Sequence, residues 1–150
     1  MALLKKFWGI ILIILILFTF GCKLDPESVE VDEYVLLEVN GIGVSAKVAD
    51  DDLERMRGLM YVKELCDDCG MIFMFENSSI KNFWMKSTLI PLDMLFIAEN
   101  GTIIKIHEAE PCKEDPCETY SSEKPVKYVL ELNKGFSKQN NVSEGDFVDI

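Results

Sequence analysis

The chain has 150 residues, of which 49% are hydrophobic, and a formal net charge of -11. That length suits one compact domain rather than two, and the apolar fraction excludes a disordered chain. The acidic balance argues against nucleic acid, whose binders present basic patches, and against adhesion to anionic lipid by charge alone.

Residues 1–21 differ from the rest. Lys5 and Lys6 precede an apolar run, Phe7 to Phe20, and no acid lies among residues 1–21. The run is 14 residues long, short of the roughly 20 that a membrane-spanning helix needs, so a secretory signal is expected. Thr19-Phe20-Gly21-Cys22 resembles a bacterial-type lipobox, which makes Cys22 the lipid-modified N-terminus of the mature protein. An uncleaved short anchor and plain secretion are the alternatives. Two acyl chains on Cys22 would give the stable membrane attachment that a single chain does not. Residues 22–33 then read as a polar tether and 34–150 as the mature domain, with an extracytoplasmic address. Removing residues 1–21 takes the net charge from -11 to -13. Asn77, Asn100 and Asn141 each open a glycosylation sequon, relevant only in a source that glycosylates surface proteins.

Along the mature chain, Tyr34 to Val39 is apolar, Asn40-Gly41 signals a turn, and Val44, Ala46 and Val48 alternate with polar residues. Residues 34–49 are therefore predicted as a hairpin. Asp51 and Glu54 stand at capping-box spacing, and Leu53, Met56, Leu59 and Met60 fall on one helical face, predicting a short helix over 51–60. Strands are predicted at Met71–Phe75, Asp93–Ala98, Thr102–His107, Lys127–Leu132 and Phe147–Ile150, with a turn at Glu99-Asn100-Gly101 and a helical turn around 136–141. The pattern is mainly β: a small barrel or sandwich with one short helix.

Several segments then carry a resemblance. Glu54-Arg55-Met56-Arg57-Gly58-Leu59-Met60 and Gly70-Met71-Ile72-Phe73-Met74-Phe75 are followed by the stretch Phe83-Trp84-Met85-Lys86-Ser87-Thr88-Leu89-Ile90-Pro91-Leu92-Asp93-Met94-Leu95-Phe96. Pro111-Cys112, Tyr120-Ser121-Ser122, Tyr128-Val129-Leu130-Glu131-Leu132, Gly135 and Gly145-Asp146 complete the set. Together these resemble the domain of unknown function 192 family of bacteria and archaea, over about residues 35–150. The resemblance implies a compact, mainly β fold and no established activity. This chain has Ser87 where many relatives have Asn.

Four cysteines follow Cys22: Cys66, Cys69, Cys112 and Cys117. An even number in an exported domain reads first as disulfides, with connectivity open. The alternatives are a zinc site of all four thiolates and a redox pair. No other cofactor is expected. His107 is the only histidine, so acid–base chemistry would pair it with Asp93 or Glu131. Trp84 beside Lys86 could bind a sugar ring or an anion, and Arg57 could reach the same place. The expected working surface is a small cleft near Arg57, Trp84, Lys86, Asp93, His107 and Tyr120. The expectation is a monomeric, membrane-anchored binding or accessory module of the cell envelope, with an unknown envelope ligand or protein as its partner. A polymer hydrolase or transferase and a disulfide-stapled interaction domain are the alternatives.

Overall fold

A computed structural model of the protein describes residues 32–150. The leader, Cys22 and nearly all of the tether fall outside the described residues. The fold is mainly β, as the patterning predicts. In chain order the elements are β1 (Tyr34–Val39), β2 (Ile42–Ala49), α1 (Asp52–Arg57), β3 (Cys69–Ser79), β4 (Asn82–Trp84), β5 (Leu92–Ile97), β6 (Ile103–Ala109), β7 (Thr119–Ser121), β8 (Val126–Asn133), α2 (Phe136–Gln139) and β9 (Val148–Asp149).

Seven strands form one curled sheet in the order β6-β5-β8-β3-β2-β1-β9, and β4 and β7 form a separate two-stranded ribbon. The β1–β2 hairpin closes on Asn40 and Gly41, both with positive φ, the two-residue turn that Asn-Gly favours. β2 and β3 are parallel, so residues 50–68, including α1, form the crossover between them. At one end, residues 145–148 bridge the two sides of the sheet. Ile103 N–H donates to Asp146 O, Val148 N–H to Gly101 O, and Asn40 N–H to Phe147 O, each at 2.9 Å. These bonds curl the sheet into a half-barrel.

Gly101 permits that closure. Its φ is +85°, and a Cβ there would lie 2.6 Å from the carbonyl oxygen of Val148. Gly41, also with positive φ, faces open space. Gly101→Ala is therefore expected to cost roughly 2–4 kcal/mol and Gly41→Ala roughly 1 kcal/mol, a difference that chemical denaturation of the two variants measures.

Strand pleat divides the core in two. Leu37, Val44, Ala46, Ile72, Leu95, Ile97, Leu130 and Leu132 fill the concave side, joined by Phe136 and Val142. Met71, Phe73, Met94, Phe96 and Val129 face the other way, under Met85, Leu59 and Tyr120. Both faces of β5 are thus buried along its whole length.

Three expectations need correction. The helix covers 52–57 rather than 51–60: Asp51 and Glu54 form the capping box, but Gly58, at φ 48°, ends the helix. Leu59 then drops into the core, while Leu53 and Met56 stay 77% and 72% exposed. The strand expected at 71–75 runs from Cys69 to Ser79, and the β4–β7 ribbon was not foreseen.

Candidate functional site

The six residues of the expected cleft do not come together. Arg57, Trp84 and Lys86 border one cavity. Tyr120 lines another, of about 240 Å³, with Glu110, Glu114 and Glu118. Its hydroxyl accepts from the Glu110 N–H at 3.4 Å and donates to Glu118 at 3.3 Å, and burial raises the phenol pKa. His107 packs against the rings of Phe96 and Tyr120, with ring Nε2 2.9 Å from Ser121 O. Asp93 lies on the opposite face of the sheet. It is 1% exposed, and its carboxylate accepts from Gly135 N–H at 3.1 Å and Ser137 N–H at 2.8 Å. It ties down the first turn of α2.

Register explains the separation. Met94 pairs with His107 on one side and with Glu131 on the other. His107 and Glu131 therefore share a face but stand two strand spacings apart, about 10 Å between backbones, with Met94 between them. Neither carboxylate considered as a partner for His107 is its neighbour.

The structure instead builds a groove between α1 and β4. Its outer part is a pocket of about 450 Å³, lined by Arg55, Met56, Phe75, Lys81, Phe83 and Trp84. Beneath lies a smaller cavity of about 40 Å³, reached by Arg57, Trp84, Lys86, Thr88 and Glu131. Phe83 forms the floor, edge-on to Phe73, Phe75 and Phe96 at centroid distances of 4.9, 6.5 and 5.7 Å.

Cations gather over these rings. Lys81 Nζ sits 3.7 Å from the centroid of Phe75, the Arg55 guanidinium 5.5 Å from the same ring, and Lys86 Nζ 5.6 Å from Trp84. Such contacts are attractive, more so when desolvated. Arg55 also braces α1 against β3, donating to Met74 O and to Asp52 at 2.8 Å each. Lys86 pairs with Asp115 at 3.5 Å. Burial, and then the nearby Arg55 charge, lower the Lys81 pKa. Glu131 is 5% exposed, and burial raises its carboxyl from 4.5 to about 8. A perturbed acid in a cleft marks a candidate site.

Trp84, Lys86 and Arg57 were legible in the sequence as candidates. Arg55, Lys81, Phe75 and Phe83 were missed, and Glu131 was considered only as a partner for His107. One signal was available: Arg55 and Arg57 are the only arginines in the chain, and both fall on the predicted helix.

Cys66 pairs with Cys69 and Cys112 with Cys117, each as a local disulfide. Among the described residues, the one group of metal-type ligands within mutual reach is Cys112, Asp115 and Cys117, and its two sulfurs are bonded to each other. Asn77, Asn100 and Asn141 are all exposed, and the Asn100 side chain accepts from Thr102 N–H at 3.1 Å.

A family model for DUF192, "Uncharacterized ACR", matches residues 35–150. The chain belongs to this family. Two solved structures resemble this DUF192 chain closely. One, a proposed transcription regulator from Sinorhizobium meliloti 1021, is 41% identical with a TM-score of 0.71, covering 79% of this chain and 93% of that one. The other, a protein of unknown function from Novosphingobium aromaticivorans DSM 12444, is 30% identical with a TM-score of 0.73, covering 82% and 89%. No curated protein matches.

Proposed function

We propose that this protein is an extracytoplasmic module, anchored to the membrane through Cys22, that binds a small anionic ligand with an apolar body in the α1–β4 groove. The observation that carries the reading is the charge of the groove against that of the chain. In a protein of net charge -11, Arg55, Arg57, Lys81 and Lys86 converge on one aromatic-floored recess. Asp52, paired with Arg55, is the acid at the outer rim. Lys81 and Arg55 repel each other across Phe75, and an anion between them relieves that repulsion.

The groove does not hold the acid–base pair expected of His107 with Asp93 or Glu131, because His107 lies outside it and Asp93 on the far face. It favours a small ligand over a flat protein contact. The exposed Met56 and Trp84 line a recess rather than form a continuous apolar patch. The lipid anchor rests on the leader alone, and intact mass of protein extracted from membranes tests it.

Titration of the full-length protein with anion, sugar and neutral-peptide panels, followed by Trp84 emission, tests the groove. Trp84 is the one tryptophan after Cys22, so Trp84→Phe supplies the background. Anions are expected to change the emission and neutral compounds to leave it unaltered, with Lys81→Ala weakening binding five-fold or more. Equal responses to all three panels, or none, would overturn the reading.

A further inference from the structure

We propose that the inner cavity is a carboxylate subsite, in which the Glu131 carboxyl donates a hydrogen bond to one ligand oxygen while Arg57 and Lys86 face its charge. The inference rests on the groove being the ligand site and names the chemistry of the ligand's inner end.

Four observations carry it. First, the space of about 40 Å³ holds about three water-sized groups. That matches the three heavy atoms of a carboxylate and is small for a tetrahedral phosphoryl head. Second, Glu131 is 95% removed from solvent yet borders this space. Among the described residues its carboxyl forms no ion pair. Third, its cross-strand neighbours are Met71 and Met94, apolar groups that offer an ionised carboxylate nothing. The charged groups on the same side are Arg55 and Arg57 from α1 and Lys86 beyond β4. On this face of the sheet, Lys47 and His107 each stand two strands away. No second acid lines the cavity. Fourth, the cavity lies directly under Trp84 and Phe83, which also line the outer pocket. A ligand with its carboxylate inward would therefore lay its apolar body on the aromatic floor.

A protonated carboxyl can donate to an anion, whereas an ionised one repels it. With the Glu131 carboxyl raised to about 8, the binding-competent fraction is nearly complete at pH 6.5 and about 3% at pH 9.5. Affinity should therefore fall about thirty-fold between them. Glu131→Gln retains a donor and cannot ionise.

The test is calorimetric titration of the full-length protein in detergent with phenylacetate and with its neutral counterpart phenylacetamide, at both pH values. Phenylacetate is expected to bind, about thirty-fold more weakly at pH 9.5, and phenylacetamide to bind poorly at both. Glu131→Gln should lose most of the thirty-fold difference, and whatever remains is the part that lysine titration contributes to both proteins. Phenylacetate binding that is independent of pH in the parent protein overturns the subsite while leaving the groove intact. So does a pH dependence of the same size in Glu131→Gln. Binding of other anions, sensitive to Lys81→Ala, with no binding of phenylacetate at either pH does the same. No binding of any anion overturns both readings.

Discussion

Glu131→Gln should unfold at a higher temperature than the parent protein above pH 8, and at nearly the same temperature below pH 4.5. The cause is linkage. The Glu131 carboxyl is held at about 8 in the folded protein by burial, while the unfolded chain releases that proton near the ordinary value of 4.5. Between these limits the folded state binds the proton and the unfolded state does not. Stability from this group is therefore complete below 4.5, declines as pH rises, and levels off above about 8. The whole decline is on the order of 5 kcal/mol, against a total stability for such a domain of about 5–15 kcal/mol. Gln fills the same volume without a charge to desolvate, so its profile lacks the decline. At pH 9 the difference amounts to roughly 10–20 °C in melting temperature. All other titrating groups are common to the two proteins, so subtracting one pH profile from the other isolates this one. Parallel profiles between pH 4.5 and 9 would show that Glu131 is not held protonated.

That acid illustrates which features a sequence displays and which it conceals. Alternation of Val44, Ala46 and Val48 announces a strand because period 2 is local, and Asn40-Gly41 announces its turn for the same reason. Asp51 and Glu54 mark the start of α1 with a spacing that needs no tertiary information. The β4–β7 ribbon gives no such signal. Its strands are three residues each, and Phe83 pairs with Tyr120 across 37 positions of chain, so the contact that roofs the outer face is wholly non-local.

The site was obscured for a related reason. Asp93 and His107 look equivalent as polar residues in apolar strands, yet pleat sends them to opposite faces. Met94, directly across from His107, fixes which face each takes. Residues that decide the groove, Lys81 and Phe75 among them, are ordinary in sequence and acquire meaning only when α1 crosses above β3. The spacing of Leu53, Met56, Leu59 and Met60 puts all four on one face of a helix over 51–60. Gly58 ends it early, so Leu53 and Met56 stay exposed, and Met56 lines the groove, where an apolar ligand body can use it.

Asp93 supplies the second large effect, and it separates a folding role from a binding one. Its carboxylate receives two backbone N–H groups, from Gly135 and Ser137, where the chain enters α2. Ser137 is itself buried, and the adjacent Phe136 packs into the concave core. Asp93→Ala leaves both donors without an acceptor in a place that water does not readily reach. An unsatisfied buried donor costs about 1–3 kcal/mol, so the variant should lose roughly 2–5 kcal/mol, with amide exchange at Gly135 and Ser137 accelerated ahead of the rest of the sheet. Asp93→Asn keeps one acceptor oxygen and should lose less. Because Asp93 faces away from the groove, anion binding by the folded fraction should match the parent protein in both variants. If Asp93→Ala instead keeps its stability and loses ligand, Asp93 belongs to the binding site, and the division of labour between the two faces of the sheet is wrong.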